Sequence, residues 1–361
     1  MAHETSAADQ KPSLLHIAAA LAAGAVGTWF AARAVLGRRR WFDLEGKVAI
    51  VTGGSRGLGL AIARELIIRG ARVTICARGD EDLAKAEEDL AGRGGEVLAV
   101  KCDVTQADEI RQVVQQTRQR FGQIDVLVNN AALVTVGPQS HMTLADYRDA
   151  MDTIYEAPLL FMLDILPEMR DRGSGRIVNI ASFGGKMPSP HLAPYSAAKH
   201  ALVGLSETLR TELVDDGIYV TTVCPGLIRT GSALRSAKFK GQHEKERLWF
   251  TSGDVTPVLS IEPSRLARRI VNALQRGDAE LITPFNAALT SSLHGAFPGI
   301  STEVATLMNR IMLPSRNEAP DGDQAITGSH LGDSLPSAIV SQEKKAEDEY
   351  QHGAEGPAAN S

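Results

Sequence analysis

One short stretch limits what this chain can fold into more than any other. Val48-Ala49-Ile50-Val51 is an apolar, β-rich run of strand length, and Thr52-Gly53-Gly54-Ser55-Arg56-Gly57-Leu58-Gly59 follows it at once. A helical pattern of Leu60, Ile62, Ala63, Leu66 and Ile67 comes next. Strand, glycine turn and helix in this order bring backbone N–H groups and a helix N-terminus against a pyrophosphate. Glycine is needed where a side chain would block that approach, or where the turn demands positive φ. A tight turn without a ligand is the plainer reading, but the flanking strand and helix favour the nucleotide. The stretch predicts an α/β fold with a doubly wound parallel sheet, Rossmann-like. It also nominates Thr52, Gly53, Ser55, Arg56, Gly57, Leu58 and Gly59 as cofactor contacts.

The choice of cofactor is written at the end of the second predicted strand, Arg72-Val73-Thr74-Ile75-Cys76-Ala77-Arg78. An NAD-preferring site places an acid there for the ribose hydroxyls. This chain has Ala77 and then Arg78, with Arg56 in the glycine turn. Two guanidiniums and no carboxylate suit a 2′-phosphate, so NADP(H) is expected, unless Arg78 is simply a solvated strand end.

Tyr195 and Lys199, in Pro-Tyr-Ser-Ala-Ala-Lys, stand one helical turn apart and can share a face. A free tyrosine keeps its proton to about pH 10. A fixed positive neighbour favours the phenolate and makes the group a proton donor and acceptor nearer neutrality. Alone, such a pair is ordinary helix surface far more often than chemistry; its company decides.

With these pieces in order, the chain resembles the short-chain dehydrogenase/reductase family over residues 43–284. Gly53, Gly57 and Gly59 match that family's dinucleotide glycines. Asp103 and Val104 match its adenine-contacting strand end, and Asn129-Asn130-Ala131-Ala132 its Asn-Asn-Ala-Gly segment. Ser182 lies upstream of Tyr195 at the family's spacing, and Pro225, Gly226, Ile228 and Thr230 match the loop that holds the nicotinamide carboxamide. The resemblance implies hydride transfer between NADP(H) and a carbonyl or secondary alcohol. In that scheme Ser182 donates to the carbonyl oxygen, Tyr195 is the acid/base, and Lys199 lowers its pKa and binds the ribose. It also implies a homo-oligomer built through helices around 146–170 and 195–214.

Two departures stand out. Ile154 occupies the place of the family's catalytic asparagine, which helps hold a water between the lysine and solvent. An isoleucine side chain cannot do this, although its backbone carbonyl or Tyr155 can offer a polar atom. Ala132 replaces the segment's glycine. Neither touches Ser182, Tyr195 or Lys199, so an active enzyme is expected. A catalytically weak NADP-binding regulator or membrane scaffold is the alternative.

Composition agrees with a globular enzyme: 361 residues, 43% hydrophobic and 22% charged, with a net charge of −5 that gives no reason to expect nucleic acid. Cys76, Cys102 and Cys224 read as buried thiols, and no metal-ligating spacing is seen. Residues 1–13 are polar. Residues 14–40 hold an apolar run, 14–36, followed by Arg38-Arg39-Arg40. That run predicts a transmembrane anchor with the catalytic domain on the cytoplasmic side; an interfacial helix or a helix docked on the enzyme are its rivals. The resemblance implies that residues 231–260 cover the substrate; their own residues read as either a basic-plus-aromatic lid or a solvated charged helix. Residues 285–313 predict one or two amphipathic helices, covering the active site or lying on a membrane, with packing into the core as the default. Residues 314–361, rich in Gly, Ser, Asp, Glu and Pro, read as a disordered tail. The substrate expected is a small carbonyl or alcohol, with lipophilic ketones suggested by the anchor alone.

Overall fold

The structure, a computed structural model, describes residues 37–229, 236–254, 260–312 and 322–328, with 341 and 345. The chain divides into two compact units, Met1–Trp41 and Phe42–Ser361, and the second carries the fold described below. The anchor expected at 14–36 and the contact expected at Thr230 lie outside the described residues. Among those residues, no helix is long and apolar enough to cross a membrane.

Strands and helices alternate from the start: β1 (Val48–Thr52), α1 (Gly57–Ile68), β2 (Arg72–Ala77), α2 (Asp80–Gly92), β3 (Val97–Lys101), α3 (Ala107–Phe121) and β4 (Val126–Asn129). A short β5 (Thr135–Val136) precedes α4 (Leu144–Met151), a π-helical turn over Asp152–Glu156 and α5 (Ala157–Arg172). β6 (Gly175–Ile180), α6 (Ala193–Leu213) and β7 (Ile218–Pro225) continue the alternation. Then come β8 (Leu227–Ile228), β9 (Lys238–Phe239), α7 (His243–Asp254), β10 (Ser260–Ile261), α8 (Pro263–Arg276) and β11 (Glu280–Thr283). The described chain closes with α9 (Phe285–Ala296), α10 (Pro298–Met312) and β12 (Ile326–Thr327).

Seven parallel strands form the central sheet in the order β11-β7-β6-β4-β1-β2-β3. Every residue of β1 is buried, which is why its sequence is a continuous apolar run rather than an alternating one. One face packs under α1 and α8, where Leu66, Leu266, Ile270 and Leu274 meet. The other packs under α3, α5 and α6, around Ile110, Phe161, Ile165 and Leu213. A buried polar ladder pins the middle: Asn129 Nδ2 donates to Asn179 Oδ1, and Asn179 Nδ2 to Ser206 Oγ, each at 2.8 Å. The strand order reverses between β1 and β4, and there a crevice opens at the carboxyl ends of the strands.

Three expectations change. The charged segment before β10 is not a solvated helix across 236–254, and its Lys238 and Phe250 line the crevice. Lys240 is buried and pairs with Asp146 at 2.6 Å, and Glu246 is buried against His191 at 2.8 Å. Unpaired charges of this kind could not be kept from water, so the pairs account for their burial. The helices α9 and α10 form as expected but leave much of their apolar surface in solvent instead of adding it to the core. Within the stretch read as a disordered tail, residues 322–328 are ordered, because Ile326 and Thr327 pair antiparallel with Phe239 and Lys238. A polar, glycine-containing segment carries no sign in its own composition of a partner strand far upstream.

Candidate active site

The crevice is a cleft of about 830 Å³. Its floor at one end is the turn between β1 and α1. Gly53 has φ of +62°, and a Cβ on Gly59 would sit 2.1 Å from the Gly53 carbonyl oxygen. Only glycines permit this approach of turn and helix, and the result is a cradle of backbone beside the N-terminus of α1. Gly53, Ser55, Arg56, Gly57 and Leu58 line the cleft. Thr52 and Gly59 do not line it; they build it. Thr52 Oγ1 accepts from the backbone N–H groups of Asn130 and Ala131 at 2.9 and 3.0 Å, and Asn130 Nδ2 donates back to the Thr52 carbonyl at 2.9 Å.

Arg56 and Arg78 both line the cleft at the end of β2, where no acid follows the strand directly. Asp82, which the sequence reading passed over, lines it too and lies 3.5 Å from Arg56. Asp103 and Val104 form the neighbouring wall, with the Asp103 carboxylate accepting from Thr105 N and Oγ1 at 3.0 and 2.9 Å. A glycine cradle, a helix N-terminus and two guanidiniums are a donor set suited to a phosphorylated dinucleotide.

Ser182, Tyr195 and Lys199 line the same cleft, as do Asn130, Pro225, Gly226 and Ile228. Ser182 follows β6 by two residues, and its Oγ accepts from Gly184 N at 3.1 Å, which orients the hydroxyl. Tyr195 lies in the first turn of α6, half-buried. Lys199 sits one turn on, 1% exposed, with Nζ donating to the Ile180 carbonyl at 2.6 Å and standing 5.6 Å from the centre of the Tyr195 ring. Burial lowers the Lys199 pKa to about 7. The lysine is therefore a titrating group rather than the fixed positive charge that helical spacing alone suggests. The three cysteines are free and buried, and burial pushes the Cys224 thiol up to about 12.

Ile154 is fully buried in a small cluster with Ala181, Ala198, Leu202 and Cys224, packed near Tyr195. It does not line the cleft. Its neighbours on the π-helical turn, Asp152 and Thr153, do line it, together with Asp149. A π turn inserts an extra residue into the helical register, a displacement that residue-by-residue spacing does not register. At the end away from the glycine cradle, Val134, Ala237, Lys238, Phe250 and Thr327 complete the wall. None of these was singled out as a site residue. Lys238 and Phe250 fall in the segment for which a basic-plus-aromatic lid was one reading, but Thr327 carried no signal at all.

The pattern of the short chain dehydrogenase family matches residues 47–241. The chain is 38% identical over 192 residues to ketoacyl reductase HetN of a Nostoc species, covering 53% of this chain and 67% of that one. It is 34% identical over 247 residues to 11-beta-hydroxysteroid dehydrogenase A of Sesamum indicum, covering 67% and 69%. Among solved structures it resembles an actinorhodin polyketide ketoreductase crystallised with NADPH. That match has a TM-score of 0.58 and 35% identity, covering 66% of this chain and 95% of the other.

Proposed function

The chain belongs to the short-chain dehydrogenase/reductase family, whose members interconvert carbonyls and alcohols, and on that premise we propose how its own residues do so. The observation that carries the proposal is the convergence of Ser182, Tyr195 and Lys199 on one cleft with the glycine cradle. The cofactor is NADP(H), which supplies or accepts the hydride. Arg56 and Arg78 would hold its 2′-phosphate, the N–H groups from Gly53 to Leu58 its pyrophosphate, Asp103 and Val104 its adenine end, and Pro225, Gly226 and Ile228 its carboxamide. Thr230 is proposed with the last group on sequence alone.

Ser182, held by Gly184, donates to the substrate oxygen and fixes the carbonyl for attack from the cofactor side. Tyr195 delivers the proton to the oxygen as negative charge builds there. Lys199, titrating near neutrality, carries its proton beside that phenol and can restore it. The Ile180 carbonyl fixes its ammonium in place of any partner from residue 154. The reductase and dehydrogenase names of the relatives favour this reading over a non-catalytic one. Ketones of an oxoacyl or sterol-like kind are the first to try.

The test is spectrophotometric. Purified protein with NADPH and a carbonyl panel should consume NADPH, and Tyr195→Phe should abolish that consumption while leaving cofactor binding within about twofold. Cofactor binding without any turnover by the parent chain would overturn the assignment.

We further propose membrane contact through residues 14–36, with the catalytic unit on the cytoplasmic face, supported by the apolar run and the arginines that follow it. Sedimentation of the full chain with vesicles, and loss of it in a chain starting at Gly37, checks this. Assembly of copies through α5 and α6 is proposed on the exposure of Leu163, and Leu163→Glu should then yield monomers in light scattering.

A further inference from the structure

We propose that residues 322–328 form a strap that completes the substrate end of the cleft, with Thr327 deciding which carbonyl compounds fit. The inference rests on the reductase reading above and adds to it a specificity-determining residue in a segment far from every family motif.

The strap is held along its length. Gly241 N donates to the Gly322 carbonyl at 2.8 Å, and Gly328 N to the Ala237 carbonyl at 3.0 Å, so both ends are tied to the strand β9 and its flanks. Between them, Ile326 pairs with Phe239 and Thr327 with Lys238. Two histidines clamp the entry: His141 Nδ1 meets Asp323 Oδ1 at 2.8 Å, and His243 Nε2 donates to the Gln324 carbonyl at 2.8 Å. The fit is close at Gly322, where a Cβ would come within 2.6 Å of the His141 ring. β9 also pairs with β5, so the strap is the outer strand of a three-stranded sheet standing beside the cleft.

That sheet is next to the chemistry. Phe239 is fully buried in a cluster with Val136, Leu192 and Ala237, against which Tyr195, Trp249 and Phe250 pack. Thr327, Lys238 and Phe250 then reach the cleft wall from the strap, from β9 and from α7. An aromatic ring beside a hydroxyl and an ammonium suits an extended substrate whose chain runs away from the carbonyl and ends in a hydrogen-bond acceptor or anion. A small ketone would make fewer contacts with this wall than an extended one. Discrimination by the strap should therefore grow with chain length.

The test compares the full chain with chains ending at Gly328 and at Asp321, and with Thr327→Phe. Each is assayed with a four-carbon methyl ketone, a ten-carbon methyl ketone and a ten-carbon oxo acid. The chain ending at Gly328 should match the full chain within about twofold throughout. Removal of the strap and Thr327→Phe should each leave NADPH affinity within about twofold. Both should change the ratio of kcat/KM between ten-carbon and four-carbon substrates by about tenfold or more. Equal scaling across the series, or no change, overturns the proposal, and Thr327→Phe keeps the test alive if the shortened chain does not fold. Hydrogen exchange separates this from failure of the reductase reading. The Gly241 and Gly328 amides should be protected in the full chain whether or not any ketone turns over, and rapid exchange at both would overturn the strap alone.

Discussion

Lys199 shows how much a single burial changes. Helical spacing places it near Tyr195, and the fold then removes it from water and gives it the Ile180 carbonyl as a hydrogen-bond acceptor. Desolvation disfavours the ammonium, so the pKa falls from 10.5 to about 7. The consequence for stability has a definite sign. Below pH 7 both the folded and unfolded chains carry the proton, and the cost of burying the charge is present in full. Above pH 7 the folded chain releases the proton while the unfolded chain keeps it to about pH 10.4, so stability rises with pH across that window. Between pH 7 and 9 this contribution is on the order of 2 kcal/mol. The raised thiols of Cys76 and Cys224 act in the opposite direction at more alkaline pH, but they are common to parent and variant. Urea melts at pH 7 and 9 should therefore show the parent gaining stability relative to Lys199→Met by about that amount. Equal slopes would mean that the lysine is not desolvated. The cleft residues legible in the sequence were those set by local geometry, such as Gly53 and Gly57. The protonation of Lys199 was not, because it depends on everything packed around it.

At the scale of elements, legibility follows the range of the interactions. β1 and β2 could be read because strands buried on both faces are rich in apolar and β-branched residues, a property each carries in its own sequence. The two-residue strands β5, β8, β9, β10 and β12 could not be read, since each exists only through its partner. The π-helical turn over Asp152–Glu156 belongs to the second kind. It leaves Ile154, which the sequence resemblance aligns with the family's asparagine, facing a packed cluster, while Asp152 and Thr153 line the cleft. Restoring the amide should consequently do harm. Ile154→Asn exchanges a fully buried apolar side chain for a polar one among Ala181, Ala198, Leu202 and Cys224, which should cost about 2–4 kcal/mol. A lowered melting temperature with no rise in kcat is expected. A rise in kcat would show instead that proton supply to Lys199 limits the reaction.

At the scale of the whole catalytic unit, its main oddity is where the apolar surface goes. α9 is seated on the end of the sheet by Ala287 and Ser291, and His294 Nδ1 bonds Ser301 Oγ at 2.6 Å across the joint to α10. Beyond that joint the pair presents Phe285, Leu289 and Leu293 at successive helical turns, and Ile300, Val304, Leu307 and Ile311 at spacings of four, three and four. Each of these seven is more than half exposed. Seven exposed apolar side chains on two adjoining helices are more than scattered single residues would make, yet they add little to the stability of the fold, because their area is not removed from water. That separation can be measured. Leu289→Glu combined with Leu307→Glu should shift the unfolding free energy by no more than about 1 kcal/mol, while binding of a hydrophobic fluorescent dye falls. Leu274→Ala, in the fully buried face of α8, should cost about 2–5 kcal/mol and leave dye binding to the native state unchanged. Loss of stability in the double variant would mean that the two helices bury these residues against the rest of the fold.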